Sequence, residues 1–286
     1  RRMERLCRRT SFGSLEAMRI CLCLLLMMAA GLSAAEPNQL TAEEKAAGWK
    51  LLFDGKSMKG WEDVRKATPP GDAWVIEDGC LKSVPEPKLR EDLFSAAKYA
   101  DFELAFEWKI SSGGNSGVKY RVQDRFWLDE RRIKEFKKFE DLANDAVRNR
   151  KGTRKDGTQE YIVGFEYQVI DNVKHKDAQR GPYYQAGALY GMVPAAQAAS
   201  KPVGEFNQAR VMVKGKHFEH WLNGVKVAEG EMDAPAALAK TADRWTKESL
   251  IYQALANQPV KMCPITLQNH GDAAWFRNIK IRALGN

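Results

Sequence analysis

Cysteine is scarce in this chain, with five residues in 286, and three of them (Cys7, Cys21 and Cys23) fall within the first 35. Only Cys80 and Cys263 remain beyond that stretch, and two cysteines do not make a disulfide framework. In an oxidising compartment they could pair and tie an early strand to a late one; two buried free thiols are the alternative. There is no Gly-x-Ser-x-Gly elbow, no phosphate-binding loop and no Gly-x-Gly-x-x-Gly fingerprint. Hydrolase triads, kinases and dehydrogenases therefore have little support. Internal repeats and low-complexity tracts are absent. His217 and His220 stand three apart in a strand-like run, so they face opposite ways and read as surface residues of a hairpin, not metal ligands.

Long apolar runs are also lacking, apart from Ile20 to Ala30, which is too short to span a bilayer comfortably. Met18-Arg19 precedes that run and Gly-Leu-Ser-Ala-Ala follows it, with Ser33 and Ala35 at the −3 and −1 positions of a cleavage site. Residues 1–35 therefore read as an upstream extension plus a secretory signal, and export to a periplasm or beyond is expected. The formal charge is +8, and the six Arg and two Glu of that leader account for half of it, leaving +4 for residues 36–286. That is no nucleic-acid footprint. The remaining excess is local: residues 125–158 hold eleven Lys/Arg against seven Asp/Glu. For residues 36–286 this implies no nucleic acid and no membrane span, and it leaves the oligomeric state open.

What is present is a rhythm of short strands and tight turns. Residues 38–47 read as a helix with Thr41 as N-cap and Glu44 closing a capping box. Strands are expected at Trp49–Phe53, Trp74–Glu77, Cys80–Val84 and Phe102–Ile110. A Gly-rich link over 111–117 leads to Val118–Gln123. Further strands are expected at Gly187–Tyr190, Gln208–Lys214, His217–Leu222, Val225–Glu229, Ile265–Asn269 and Trp275–Arg282. Asn223-Gly224 suits a type I′ hairpin turn. Many short strands with few crossover helices imply an all-β, two-sheet antiparallel sandwich as a single domain over 36–286. A helical insertion is expected at about 126–158, with Ile133, Phe136, Phe139, Leu142, Ala143 and Ala146 on its apolar face. A second helical or loop excursion over 234–256 should lie on an edge or rim of the sandwich. The basic insertion is either a solvated face or a contact for an acidic partner.

Residues 160–175 carry the most chemical information. From Tyr161 to Asp171 the run is β-branched and aromatic, and alternation sends Phe165, Tyr167 and Val169 one way and Glu166 and Gln168 the other. Asp171 and His175 follow at or just past the strand's end. A carboxylate, an amide, a second carboxylate and an imidazole on one patch suit proton transfer on a polar, uncharged substrate such as a sugar. A sheet whose other face is merely wet is the alternative. Three more polar strand ends accompany this segment. In Asn115-Ser116-Gly117-Val118-Lys119-Tyr120-Arg121, alternation puts Lys119 and Arg121 on one face, opposite Val118 and Tyr120. The others are Gly187-Ala188-Leu189-Tyr190 and Gln268-Asn269-His270-Gly271 ahead of Trp275-Phe276-Arg277. Of eight Trp residues, one or two at most are expected in a site.

At these residues the chain resembles the 3-keto-disaccharide hydrolase domain family. Trp49-Lys50-Leu51-Leu52-Phe53-Asp54-Gly55 followed by Gly60-Trp61 resembles its opening. The Asn115–Tyr120, Gly164–Asp171, Gly187–Tyr190, Leu222–Gly224, Ile265–Gly271 and Phe276–Ile281 blocks follow in order, covering about residues 47–283. The resemblance implies a concanavalin-like, laminarinase-like jelly roll, secreted, with a sugar groove on a concave face. It also implies an enzyme that cleaves 3-keto-glycosides or hydrates their elimination products. Glu166 or His175 would be the base at C2, Asp171 the acid, and Lys119 the group polarising the ketone. Asn115, Gln168, Tyr190, Arg121, Gln268, His270 and Arg277 would hold hydroxyls. No cofactor is implied with certainty; Glu166, Asp171 and His175 could ligate a divalent ion at the enolate, and a hydrogen-bonded site with Lys119 would serve the same end. Laminarinase-type glycosidases carry Glu-x-Asp-x-x-Glu, whereas this strand has Glu166-x-Gln168-x-x-Asp171, a departure that weighs against double displacement. A non-catalytic carbohydrate-binding module and a conventional glycoside hydrolase are the competing readings.

Overall fold

A computed structural model describes residues 36–62, 72–149 and 158–285. The expected leader, 1–35, and residues 150–157 of the expected insertion lie outside them. Among the described residues, thirteen strands form two antiparallel sheets: β1 (Lys50–Leu51), β2 (Trp61–Glu62), β3 (Trp74–Glu77), β4 (Cys80–Ser83), β5 (Leu93–Tyr99), β6 (Phe102–Ile110), β7 (Asn115–Asp129), β8 (Thr158–Ile170), β9 (Asn207–Lys214), β10 (His217–Leu222), β11 (Val225–Glu231), β12 (Cys263–Leu267) and β13 (Ala274–Ala283). The eight-stranded sheet runs β11-β10-β9-β6-β13-β4-β3 with β1 on β13, and the five-stranded sheet runs β2-β5-β12-β7-β8. The expected all-β, two-sheet antiparallel sandwich is the fold observed.

The core lies between the sheets and follows from period-two alternation. In β6, Phe102, Leu104, Phe106, Trp108 and Ile110 are all buried, and they meet Val118, Tyr120, Phe165, Tyr167 and Val169 of β7 and β8. Aromatic rings interlock across the layer, Phe106 edge-on to Tyr167 at 5.5 Å and Phe102 edge-on to Tyr120 at 6.1 Å. The Asn223-Gly224 hairpin has both residues at positive φ, +50° and +83°, as a type I′ turn requires. Helix α1 (Ala42–Ala46) begins at Thr41 with both halves of the capping box formed. Helices α2 (Phe139–Asn149), α3 (Pro235–Ala242) and α4 (Leu250–Asn257) complete the described part, with α2 and α4 packed on β7 and β8.

Four expectations change. The insertion is not helical from 126: Phe126, Trp127 and Leu128 continue β7, a 3₁₀ turn covers Glu130–Glu135, and α2 begins only at Phe139. Leu142, Ala143 and Ala146 are buried as expected, but Ile133 is 41% exposed because the 3₁₀ turn carries it off the packed face. The Gly-rich link is partly strand, since Asn115-Ser116-Gly117 opens β7 opposite Gln168–Ile170. Gly187–Tyr190 is no full strand; it makes only isolated bridges, Leu189 to Tyr167 along the outer edge of β8 and Leu189 to Val193. His220 is fully buried and not a surface residue. It meets the Tyr120 hydroxyl at 2.8 Å and the Gly187 carbonyl at 2.9 Å, packed among Tyr167, Phe218 and Tyr120. Cys80 and Cys263 are buried and unpaired.

Candidate active site on the five-stranded sheet

The outer face of the five-stranded sheet is set by what the inner face buries. The Tyr120 and Tyr167 hydroxyls reach His220 and the Trp221 carbonyl of β10 in the opposite sheet, so their alternates Lys119, Glu166 and Gln168 point away from it. Strand register lines up one outward row: Phe94 on β5, Thr266 on β12, Lys119 on β7 and Glu166 on β8. Tyr190 extends the row, its N–H donating to the Glu166 carbonyl at 3.0 Å. The C-terminal ends of β8 and β12 and the start of β7 lie at one end of the sheet, which brings His175, Gln268, His270 and Asn115 to the same rim.

At the centre, Lys119 Nζ sits 3.6 Å from Glu166 Oε2 and 3.7 Å from Asp92 Oδ2. Lys119 is 6% exposed and Asp92 4%. Burial raises the pKa of Glu166; the Asp92 charge adds to this, and Lys119 only partly offsets it. Burial likewise raises that of Asp92 against the pull of Lys119. Burial alone would lower Lys119, but Asp92 and Glu166 outweigh it and leave that nitrogen a stronger base than usual. The cluster thus sets an ammonium between two carboxylates with raised proton affinity.

Two features shape Glu166. Gly117 stands beside it on β7, and a Cβ there would lie 2.5 Å from Glu166 Oε1 and 2.7 Å from its Cδ. The missing side chain is what lets the glutamate lean across the strand. With its amide turned so that nitrogen donates, Gln168 bonds Glu166 Oε1 at 3.0 Å and the Ser116 carbonyl at 3.1 Å. Three buried polar atoms near Lys119 have no hydrogen-bond partner among the described residues: Asp92 Oδ2, Thr266 Oγ1 and Gln268 Oε1. Buried polar atoms are rarely left so unless a ligand or water meets them.

The flanking imidazoles differ in role. His175 Nδ1 accepts the Asp177 N–H at 3.1 Å, so the neutral ring carries its proton on Nε2 and can only donate there. His175 and His270 lie edge-to-face with ring centres 6.3 Å apart. Burial, with Arg90, His175 and Lys119 nearby, pushes His270 down to about 4 and keeps it neutral. Tyr190 donates to Asp177 Oδ2 at 3.3 Å. From the far side, Arg244 stacks on Phe139 and Trp245 and bonds Glu140 at 3.0 Å, and its charge acts on both Glu166 and Tyr190.

Lys119, Glu166, Gln168, Asn115, Tyr190, His175, Gln268 and His270 therefore converge, while three expected site residues do not. Asp171 accepts the backbone N–H groups of Gly113 (2.7 Å), Val173 (2.8 Å) and Lys174 (3.2 Å). Burial works against its ionisation, but those donors outweigh it and hold its pKa below the usual value; it braces the turn that carries His175. Arg121 does not share the face of Lys119. It sits at a β-bulge with φ +50° and pairs with Asp101 at 2.9 Å near the strand-end loops. Arg277 lies on the outer face of the other sheet, bonded to Glu107 at 2.7 Å and stacked on Phe206. Glu166, Asp171 and His175 do not converge as metal ligands. Among the described residues the one group of three that does is His217, Glu219 and Glu229, on the β10–β11 hairpin, where Lys226 already bridges both glutamates.

Asp92, Gly117 and Thr266 were missed as site residues. A glycine in mid-strand is a legible sign of close approach. Asp92 has no such sign, because the middle of β5, which it precedes, is Ser95-Ala96-Ala97-Lys98, poor strand formers that do not read as a strand.

Residues 48–282 match the 3-keto-alpha-glucoside-1,2-lyase-like domain family. A protein of Bacteroides thetaiotaomicron named 3-keto-disaccharide hydrolase is 34% identical over 269 residues, 88% of this chain and 84% of that one. A crystal structure of a Parabacteroides distasonis protein, provisionally named a glycosyl hydrolase, superposes with a TM-score of 0.64 at 25% identity. It covers 87% of this chain and 100% of the other. A second such structure from that organism gives 0.56 at 25% identity, covering 82% and 99%.

Proposed function

This chain belongs to the 3-keto-alpha-glucoside-1,2-lyase-like domain family, and from that we propose that it is an enzyme cleaving 3-keto-glycosides by proton abstraction at C2. The observation that carries the reading is the ammonium of Lys119, 3.6 Å from Glu166 on the outward row of two paired strands. A C3 ketone makes the C2 proton acidic, and a base beside a fixed cation suits its removal. Glu166 takes the C2 proton while Lys119 receives the enolate oxygen. The C1–O bond then breaks; His175 Nε2–H donates a hydrogen bond to the leaving oxygen, which takes its proton from a water molecule. The hydroxide so formed adds to C1, and Glu166, its proton exchanged with solvent, protonates C2, which gives net hydrolysis. Release before that addition gives the lyase outcome.

Conventional double displacement fits less well. It needs two carboxyl groups about 5–5.5 Å apart facing the sugar. Here Gln168 replaces one acid, Asp171 is bound to three backbone N–H groups, and Asp92 is separated from Glu166 by Lys119. Residues 18–35, with their apolar run and small-residue end, support action in the periplasm or outside the cell.

The test compares 3-keto-trehalose with trehalose in deuterium oxide. Turnover of the keto sugar alone, with deuterium at C2 of the product, is expected. Glu166→Gln should lose roughly 10²–10⁴-fold in rate while remaining folded. Cleavage of trehalose itself, or a hydrolysed product that keeps protium at C2, would point to a conventional glycosidase. Binding of both sugars with turnover of neither would make this a binding module.

A further inference from the structure

Asp92 takes no direct part in the chemistry above, yet its carboxylate is held with care. Its Oδ1 accepts the Asn269 N–H at 3.0 Å, and its own N–H donates to Glu160 Oε2 at 3.0 Å. Its Oδ2 is buried without a hydrogen bond and faces Lys119 Nζ at 3.7 Å. An unsatisfied buried carboxylate oxygen is destabilising, and a buried ion pair is rarely a source of net stability, so the arrangement calls for another role.

Resting on the 3-keto-glycoside reading, we infer that Asp92 is a positioning residue that keeps Lys119 an ammonium lodged between two carboxylates, so that a substrate ketone meets a fixed cation and is not captured as an imine. Imine formation needs a neutral amine whose lone pair attacks the carbonyl carbon, with water leaving; an ammonium has no such pair. In the enolate route the C2–H bond breaks, its proton goes to Glu166, and its electron pair becomes the enolate. Negative charge moves from Glu166 to the enolate oxygen, past a cation that Asp92 still balances. The net charge of the cluster does not change during the step, and nothing need reorganise.

The other groups facing this cluster are Arg125, Glu160, Tyr161 and His270 around Lys119 and Asp92, and Arg244 and Tyr190 toward Glu166. Asp92→Asn leaves all of them in place. Its negative charge favours the protonated form of both Glu166 and Lys119. Removing it should therefore move both limbs of the kcat/KM profile to lower pH, by about 1–3 units for charges this close. A merely structural role would lower activity or stability and leave the limbs where they were.

NMR titration of Lys119 Nζ and the Glu166 carboxyl in the free protein gives the same readout without turnover. In the wild type, Lys119 should titrate above ordinary lysine, and borohydride with 3-keto-trehalose should leave no reduced adduct on it. Lys119 titrating below ordinary lysine, a trapped adduct in the wild type, or unmoved titrations in Asp92→Asn would each overturn the inference. If no keto sugar is turned over but the titrations move as stated, the proposed activity fails and the role of Asp92 stands.

Discussion

Gly117→Ala isolates the placement of Glu166 from its chemistry. The added methyl would lie 2.5 Å from Glu166 Oε1, 2.7 Å from Cδ and 2.8 Å from Cγ, where ordinary contact begins near 3.4 Å. The carboxyl must therefore withdraw by about 1 Å, the scale of misplacement that costs roughly 10²-fold in rate. That factor corresponds to about 2.7 kcal/mol in the barrier. Gly117 is not among the residues at positive φ, so alanine meets no backbone strain there. Loss of unfolded-chain entropy should stabilise by about 0.4–1 kcal/mol, while overpacking costs about 1–3 kcal/mol, so the fold should survive. The assay is kcat/KM on 3-keto-trehalose alongside thermal unfolding, for Gly117→Ala, Glu166→Gln and the double variant. Because both changes act through one carboxylate, the double variant should be no slower than Glu166→Gln alone. A folded Gly117→Ala with near wild-type kcat/KM would refute the reasoning, and so would fully additive losses.

Two further outcomes follow from the geometry. His220 is pushed down to about 3 by burial, so as pH falls below about 6.5 the unfolded chain binds a proton that the folded one does not. Stability from this group is complete above that pH and is lost as pH falls toward 3, about 2 kcal/mol of it by pH 5. Denaturant unfolding of wild type and His220→Gln between pH 7.5 and 5 checks this, and parallel curves would contradict it. Asp171→Ala, which strips three backbone N–H groups of their acceptor, should cost about 1–3 kcal/mol of stability. Asp171→Asn, which keeps an acceptor, should retain most activity; a drop as large as that of Glu166→Gln without loss of stability would restore Asp171 as the acid.

The strand rhythm was legible because pleating has a period of two whatever the neighbours are. Phe102–Ile110 alternates cleanly, Asn223-Gly224 closes its hairpin, and Glu166 faces away from Phe165 and Tyr167 as the alternation requires. The same rule failed at Arg121, because a bulge between Tyr120 and Asp124 breaks the period and turns that side chain toward Asp101. Asp171 was legible as a polar residue at a strand end, but whether its oxygens meet substrate or backbone depends on where the Gly113 turn lies. His220 looked like any outward hairpin residue until β10 was placed over Tyr120 and Tyr167. By itself, then, the sequence determined the sandwich, the family blocks and the outward direction of Lys119 and Glu166, all of them consequences of short-range geometry. Only the tertiary structure decided that Asp92 stands against Lys119, since that meeting depends on the order β5-β12-β7-β8, in which residues far apart along the chain become neighbours across the sheet.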